Sequence, residues 1–280
     1  FGSATEFEAA TASYIGMCYD TTHDRVILTY RDEGSSSYGT AVVLEISGTT
    51  ITVGTPLVFD SSSTSFHSCA FDPNNYGYVI NCYRGSSNYG YMCVLYYNGS
   101  NTLAAGSPTT FDSSGNTYRI NTCYFPPTQR TLVAYRDYST GYPKGRSISL
   151  SGTTPSAGNA TTIASTGTYV MDSVYDVSSG LIAYVYVNNS SNVLAGNVIY
   201  VNSTTISVGT ATTLQSENCD WVAISYDSVL QKNLVAYSTS ASDLKGTIVT
   251  TGDSPYSISA DTASDSGDQG TNLGLAFDTR

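Results

Sequence analysis

Charged residues are scarce in this sequence, at 12% of its 280 positions, and basic residues are scarcer than acidic ones. The 11 Lys and Arg against 22 Asp and Glu give a net charge of −11, which disfavours nucleic acid as a partner because nucleic-acid binding needs a basic surface. Apolar runs of about 18 residues are also missing, so the sequence predicts no membrane span. The two histidines, His23 and His67, form neither a metal-ligand pair nor a catalytic triad. We therefore predict no metal, no cofactor and no enzymatic activity.

Helical periodicity is absent as well, and a repeat of about 51 residues takes its place. The first strand of each repeat ends in an aromatic residue followed by Asp or, once, Pro: Tyr19-Asp20, Phe71-Asp72, Phe125-Pro126, Tyr175-Asp176, Tyr226-Asp227 and Phe277-Asp278. The second strands end at Tyr30, Tyr83, Tyr135, Tyr184 and Tyr237. The third strands open at Gly39, Gly90, Gly145, Gly196 and Gly246. Four-stranded repeats of about this length are typical of β-propellers.

The sequence thus predicts an all-β fold, a β-propeller of four-stranded repeats that forms a single domain over residues 1–280. The five full repeats are predicted at 10–62, 63–114, 115–165, 166–216 and 217–266. A β-solenoid and an array of β-sandwiches are the competing architectures. Tight turns are expected at Ser47-Gly48, Asn98-Gly99 and Ser151-Gly152. The recurring aspartates are expected to hold turns through local hydrogen bonds.

Both ends of the sequence carry partial blades. In the predicted partial blade at 1–9, residues 1–8 align with the fourth strand at 53–60, and the one at 267–280 contains a match to a first strand. Three explanations are open: a fragment of a longer chain, a five-bladed ring with two spare strands, or half-blades completed by neighbouring copies through strand addition. The lack of an initiating Met favours a fragment or a processed chain.

The polar character of the chain comes from Ser, Thr, Tyr, Gly and Asn, which suits an extracellular protein. Its six cysteines match no zinc or haem spacing. Cys69 and Cys82 flank one turn, and Cys82 and Cys93 flank the next, so one cross-strand disulfide in this repeat is a hypothesis. The alternative is that the cysteines are small buried apolar side chains. N-glycosylation sequons begin at Asn98, Asn159, Asn188, Asn189 and Asn202, a number that chance explains in a chain so rich in Ser and Thr.

One face of the predicted propeller collects the loops that carry arginine and aromatic residues. Aromatic rings stack on the apolar faces of sugars, Arg offers a fork of donors, and Asp accepts from hydroxyls. The candidate glycan-binding residues are Tyr30, Arg31, Asp32, Tyr38, Tyr83, Arg84, Tyr89, Tyr135, Arg136, Asp137, Tyr142 and Trp221. The competing hypothesis is that Arg and Asp at the strand ends pair with the next blade and lock the ring.

The repeat style also resembles a known group of proteins. Units such as the one at 25–32, followed by 38–43 and 46–59, are similar to repeats of tail-fibre and appendage proteins of cyanophages and other aquatic phages, and of large surface proteins of aquatic bacteria. This resemblance implies an extracellular fibre or virion protein that meets host-surface glycans.

We therefore predict a non-enzymatic propeller that serves as a structural or receptor-contact module of a fibre. Its expected partners are other copies of itself, other fibre proteins and cell-surface glycans. A lectin-like glycan binder is the first alternative, and a glycoside-active propeller enzyme is the second.

Overall fold

The structure is a computed structural model that describes residues 2–253, 256–270 and 272–276. It is an all-β protein, as predicted, with four antiparallel sheets in this described part. Short 3-10 helices at Ser86–Asn88 and Pro126–Thr128 interrupt the strands, and no described helix has the length and apolarity that crossing a membrane requires. The strands form where β-branched and aromatic residues concentrate, as in the Val-Ile-Leu-Thr-Tyr run at 26–30.

The first three sheets follow one plan, in which three long strands are joined by short turns and a fourth strand is split into two segments. The first sheet contains β1 (Ala12–Asp20), β2 (Arg25–Asp32), β3 (Tyr38–Ser47), β4 (Thr50–Val53) and β5 (Leu57–Ser63). The second contains β6 (Ser65–Asp72), β7 (Tyr78–Arg84), β8 (Gly90–Tyr97), β9 (Leu103–Ala105) and β10 (Thr109–Asp112). The third contains β11 (Thr117–Phe125), β12 (Arg130–Asp137), β13 (Pro143–Ser151), β14 (Thr154–Ala157) and β15 (Thr161–Thr162).

The fourth sheet combines the fourth and fifth predicted repeats. Its strands are β16 (Thr168–Asp176), β17 (Leu181–Asn188), β18 (Val193–Val201), β19 (Ile206–Val208), β20 (Thr212–Asp227), β21 (Lys232–Thr239), β22 (Asp243–Asp253), β23 (Tyr256–Ala260) and β24 (Ser264–Gln269). The predicted boundary at 216/217 falls inside β20, whose first half (212–218) pairs with β18 and whose second half (219–227) pairs with β21. The last strand of one repeat therefore continues directly into the first strand of the next.

By packing, the chain divides into two compact units. The first unit comprises Phe1–Tyr124, Gln129–Val133 and Ile148–Gly158, and the second comprises Phe125–Thr128, Ala134–Ser147 and Asn159–Arg280. Within the first, β1 packs on β6, and a core forms around Ile27, Val43, Val79 and Leu95. Within the second, Leu181, Val185, Val198, Val235 and Val249 belong to one buried cluster. The predicted single domain stays a prediction.

The turn chemistry is as predicted. Gly48, Gly99 and Gly152 have φ values of 59°, 83° and 58°, the left-handed region that a tight hairpin demands. The corner aspartates accept a hydrogen bond from the backbone N–H two residues on, as from Thr22 to Asp20 (2.8 Å) and from Ser178 to Asp176 (2.8 Å). The prediction that these aspartates are structural is therefore confirmed for both.

A recurring glycine marks the fourth strand of three repeats, where that strand touches a neighbouring repeat. A Cβ on Gly54 would lie 2.2 Å from the carbonyl oxygen of Asn101, and one on Gly106 would lie 2.3 Å from that of Thr153. The carbonyl of Tyr256 lies equally close to Gly209, at 2.5 Å from its Cβ position. The backbones of consecutive repeats thus approach so closely that a side chain has no room.

The N-terminal segment corrects one prediction. Residues 2–11 form no strand, although residues 1–9 were expected to form a fourth strand. The segment nevertheless makes fourth-strand contacts: the Phe7 ring lies 5.3 Å from that of Tyr30, and the Tyr30 hydroxyl donates to Glu8 (2.9 Å). The aligned pair in the next repeat repeats both contacts, with Phe59 5.2 Å from Tyr83 and the Tyr83 hydroxyl 2.8 Å from Asp60. The alignment thus identified the contacts correctly but not the secondary structure.

The C-terminal prediction is only partly covered by the described residues. β24 continues to Gln269, inside the range assigned to a partial blade, and residues 272–276 form no strand. The predicted corner at Phe277-Asp278 lies outside the described residues.

The disulfide hypothesis is wrong for the register that the second sheet adopts. Asn81 lies opposite both Cys69 and Cys93, whereas Cys82 lies opposite Ser68 and Met92. Side chains alternate along a strand, so Cys82 points to the other face of the sheet from its two proposed partners. All six cysteines are free, and all but Cys18 are buried, which agrees with the alternative of apolar thiols.

Candidate functional site

An aromatic residue stands near the start of the first strand in every repeat. These residues are Tyr14, Phe66, Tyr118, Tyr169 and Trp221, at intervals of 51 or 52 residues. In four of the repeats the pairing of the first strand with the second shifts register at this point, between Ser13 and Gly16, Ser65 and Ser68, Thr168 and Met171, and Cys219 and Trp221. Such bulges bend a strand and re-aim a side chain, and they are common beside functional sites.

The backbone is strained at or next to three of these aromatic residues. Tyr14 and Phe66 have φ values of 53° and 55°, and Arg119, next to Tyr118, has 48°. Bulky residues rarely enter this left-handed region, and each such residue costs about 1–3 kcal/mol. Strain of this kind persists where the surrounding structure fixes it, and it marks a position worth testing for function.

In the first unit, three of these aromatic residues lie beside three arginines. We call this group the first cluster, and it consists of Tyr14, Arg31, Phe66, Arg84, Tyr118 and Arg119. The Phe66 ring lies 4.9 Å from that of Tyr14 and 5.5 Å from that of Tyr118. The guanidinium of Arg84 lies over two rings, 4.7 Å from the centre of Phe66 and 4.3 Å from that of Tyr118. These distances are in the range of favourable cation–π contacts.

Two arginines of the first cluster differ in their partners. Arg31 lies 5.9 Å from the Tyr14 ring, and its Nε is 3.1 Å from Glu33 while its Nη2 donates to Ser37 (2.9 Å). A hydrogen bond from Ser13 and the nearby Arg31 charge lower the pKa of Glu33, so this carboxylate stays ionised. Arg84 has only a hydroxyl partner, Ser65 Oγ, at 2.8 Å from its Nε.

A second cluster lies in the second unit and consists of Arg136, Tyr138 and Tyr169. The Arg136 guanidinium lies 4.9 Å from the Tyr169 ring and 5.4 Å from the Tyr138 ring. Its Nε is buried without a hydrogen-bond partner, while the two rings are about half exposed. The arrangement offers a fixed planar donor between exposed aromatic faces.

The prediction that a ligand stacks on the ring is wrong for three tyrosines. Tyr30, Tyr83 and Tyr135 are at most 1% exposed, so no ligand can reach their rings. Burial, followed by the neighbouring carboxylates, raises the pKa of Tyr30, and burial is also the main cause of the raised pKa of Tyr83. Tyr30 and Tyr83 tie the second strand to the segment that aligns with a fourth strand, by donating to Glu8 and Asp60, and the equivalent Tyr237 donates to Glu217 (2.5 Å).

The two predicted aspartates are also structural. Asp32 is buried and accepts from the backbone N–H groups of Gly34 and Ser35 at 2.9 and 3.1 Å. Asp137 is buried as well; burial raises its pKa, but bonds from Lys144 (2.5 Å) and Ser139 outweigh this effect and leave it lowered. Both aspartates bond within their own repeats. Arg84 contacts Tyr118 and Arg136 contacts Tyr169, each a ring of the next repeat, so two of the arginines, but not these aspartates, make the contact with the next repeat that the packing hypothesis expected.

Arg31, Arg84 and Arg136 are the predicted residues that the structure brings onto aromatic rings. Tyr38, Tyr89, Tyr142 and Trp221 are half-buried, and their ligand role stays a prediction. Sequence reasoning missed Tyr14, Phe66, Tyr118, Tyr169 and Arg119. The first four were detectable, because an aromatic residue recurs there with the period of the repeat.

Two further predictions concern modification and metals. Of the sequon asparagines, Asn98 and Asn159 are exposed, and Asn188, Asn189 and Asn202 are half-buried; their glycosylation stays a prediction. Across the described residues, no group of three or more His, Cys, Asp or Glu is placed to hold a metal ion.

Comparison with known proteins gives likeness in structure alone. No protein-family model and no curated protein sequence matches the chain. A variant of AofleA from Arthrobotrys oligospora, in which three arginines spaced 53 residues apart are replaced by alanine, aligns with a TM-score of 0.60 and 8% identity over 96% of this chain and 76% of that chain. An Aleuria aurantia lectin variant in complex with Fucα1-6GlcNAc aligns with a TM-score of 0.54 and 13% identity over 95% of this chain and 81% of that chain.

Further matches include a lectin and an enzyme. The BP39L lectin from Burkholderia pseudomallei aligns with a TM-score of 0.58 and 10% identity, over 90% of this chain and 69% of the lectin. The sialidase Hz136 aligns with a TM-score of 0.55 and 12% identity, over 86% of this chain but only 56% of the sialidase. At such identities the likeness extends to the fold alone. The structures named here include no fibre protein, so the tail-fibre resemblance receives no support from them.

Proposed function

We propose that this protein is a carbohydrate-binding β-propeller that acts as a lectin rather than as an enzyme. The observation that carries the proposal is the arginine that lies on aromatic rings at the same position of three repeats, namely Arg31, Arg84 and Arg136. Tyr14 and Tyr169, beside the first and third of these arginines, are 40% and 51% exposed. A ligand can therefore reach both the ring and the guanidinium edge.

The chemistry of these clusters suits a sugar. A pyranose presents C–H groups on one face, which pack on an aromatic ring, and hydroxyls at its edge, which accept from a planar fork of N–H donors. Contact with the rings restricts the motion of each guanidinium in advance. Little side-chain entropy is then lost when a ligand binds, which favours affinity.

The structural neighbours support this proposal. Two of them are named as lectins, and one holds a fucose-containing disaccharide. The arginines replaced in the AofleA variant are spaced 53 residues apart, and Arg31, Arg84 and Arg136 are spaced by 53 and 52. The propeller itself belongs to the proposal. Three antiparallel sheets that share one plan, each with its fourth strand split in two, and a fourth sheet that spans two repeats support it. We also propose an extracellular location, where glycans are found.

A glycan array tests the proposal. Wild-type protein is compared with the triple variant Arg31→Ala/Arg84→Ala/Arg136→Ala. The matched control is Arg25→Ala, because Arg25 also lies on a ring, 5.6 Å from the centre of Tyr97, but outside the repeated position. We expect the wild type and the control to bind the same glycans, and the triple variant to lose at least about tenfold in affinity. A wild type that binds no glycan, or a triple variant that binds equally well, would contradict the proposal.

The sialidase neighbour gives the enzyme alternative a specific basis. Release of 4-methylumbelliferone from its sialoside is the direct measurement. Turnover by wild-type protein, lost on replacement of an exposed carboxylate, would replace the lectin proposal with a glycosidase.

A further inference from the structure

Phe66 brings together two arginines that have no carboxylate partner. The guanidinium of Arg84 lies 4.7 Å from the centre of the Phe66 ring, and that of Arg119 lies 5.7 Å from it. Among the described residues neither arginine forms an ion pair, and Arg84 has a single hydrogen bond, to Ser65. We propose that Phe66, Arg84, Tyr118 and Arg119 form a site for a saccharide that carries a negative group, a carboxylate or a sulfate ester; this inference rests on the proposed lectin function.

The charge of the rest of the chain makes this pair unusual. Acidic residues outnumber basic ones by 22 to 11. Other cationic side chains do find acids: Arg25 pairs with Glu45 (3.2 Å), Lys144 with Asp137 (2.5 Å) and Lys245 with Glu217 (2.5 Å). In an acidic protein, two neighbouring arginines without an acid therefore leave a local positive charge that an anionic ligand would neutralise.

The first repeat provides an internal comparison. Its arginine, Arg31, is already 3.1 Å from the carboxylate of Glu33, which is itself held by Ser13 and Ser37. The second repeat has Gly85 at the position that follows Arg84, and its loop 85–89 contains no acid. The ligand carboxylate would thus supply in the second repeat the group that Glu33 supplies in the first.

The donor geometry favours a planar anion. The Nε–H of Arg84 donates to Ser65, so its two terminal nitrogens are left to donate, and the rings of Phe66 and Tyr118 both lie close to its guanidinium. A guanidinium edge matches the two oxygens of a carboxylate or of a sulfate in a bidentate pair. The exposed Arg119, fixed at a φ of 48°, adds a second charge beside Phe66. The rings of Phe66 and Tyr118 supply an apolar surface. The C–H face of a sugar acid can pack on this surface, whereas a free inorganic anion has no such face.

Isothermal titration with matched sugar pairs tests this inference. The probes are galactose against galacturonic acid, which differ in a carboxylate, and galactose against galactose 6-sulfate, which differ in a sulfate ester. Titrations are run at roughly 25 and 250 mM NaCl, because screening weakens a charge-based preference. The proteins are the wild type, Arg84→Gln, Arg119→Gln and the control Arg25→Gln, each checked for an unchanged thermal unfolding midpoint.

We expect at least one anionic sugar to bind the wild type and the control about tenfold or more tighter than its neutral partner, with a preference that shrinks at high salt. Both Arg84→Gln and Arg119→Gln should lose that preference. Whichever of galacturonic acid and galactose 6-sulfate binds more tightly identifies the negative group as a carboxylate or a sulfate ester. If wild-type protein binds galactose at least as well as both acids, the inference is wrong while the lectin proposal stands. If the triple variant Arg31→Ala/Arg84→Ala/Arg136→Ala binds glycans on the array as well as the wild type does, the lectin site itself is misplaced.

Discussion

At the residue scale, His67 is a buried base that the fold keeps neutral. Its ring stacks on that of Tyr83, with centres 5.6 Å apart, and meets the edge of Phe59 at 5.7 Å. Its Nε2 lies 2.9 Å from Thr64 Oγ1, while its Nδ1 is buried without a partner. Burial lowers the pKa of His67 to about 3. The unfolded chain binds a proton below pH 6.5 that the native protein refuses until about pH 3, so acid favours unfolding in this window.

Because of His67, the protein should become less stable as the pH is lowered. At about pH 5 the free energy of unfolding should be lower than at neutral pH by about 2 kcal/mol. The variant His67→Gln keeps a side-chain donor and acceptor but cannot titrate. Urea unfolding near pH 7.5 and pH 5 should show a smaller pH effect in the variant by that amount. Equal pH effects in the two proteins would mean that His67 does not control the slope.

The thiols allow a second test at the residue scale. Burial raises the pKa of Cys82 and brings that of Cys93 to about 12, and a hydrogen bond with Cys69 is the main cause of the raised pKa of Cys18. Because the thiolate is the reactive form, these residues should be inert to Ellman's reagent in the native protein. We expect the full count of six thiols only after unfolding in the absence of reductant. A count of four would indicate a disulfide and revive the pairing that the register excludes.

At the scale of the element, the fourth strand depends on a missing side chain. A Cβ on Gly54 would lie 2.2 Å from the Asn101 carbonyl oxygen and 2.5 Å from Val43 Cγ1, whereas one on Gly246 would meet nothing closer than 3.8 Å. Gly54→Ala should therefore lower the free energy of unfolding by about 1–3 kcal/mol through overpacking. Gly246→Ala should be neutral or raise it by up to about 1 kcal/mol, because the unfolded chain loses freedom. Chemical denaturation of both variants measures these changes. An unchanged free energy of unfolding in Gly54→Ala would show that the repeats separate easily.

The sequence predicted the positions of strands and turns better than it predicted the face of the sheet to which each side chain points. The repeat located the turns at Gly48 and Gly99 and the second-strand tyrosines, because turn residues and periodic landmarks are local features of sequence. It could not tell that Tyr83 points inward while Phe66 points into a cluster. That difference arises from a bulge between Ser65 and Ser68, which reverses the alternation of side chains and leaves no mark in residue type.

At the scale of the whole molecule, long-range partners limited the prediction. The sequence indicated that Arg84 belongs to a recurrent strand end, but its contact with Tyr118 joins two repeats and depends on how their backbones approach. The Cys82 pairing failed for a similar reason, since a shift of one residue in register exchanges the two faces of a sheet. A repeat therefore predicts which positions are equivalent more reliably than it predicts which positions touch.

Equivalent positions also supply a test of assembly. Leu181 and Leu234 occupy the same place in the fourth and fifth repeats, yet they are 2% and 41% exposed. Leu181→Ala should lower the free energy of unfolding by about 2–5 kcal/mol, and Leu234→Ala by less than about 1 kcal/mol, because the latter side chain already meets solvent. Urea unfolding at about 1 and about 100 μM protein is the measurement, since a partner copy stabilises by mass action. A large cost for Leu234→Ala only at the higher concentration would mean that a second copy covers this face, as the predicted self-association requires. A large cost at both concentrations would mean that the chain itself covers Leu234 in solution.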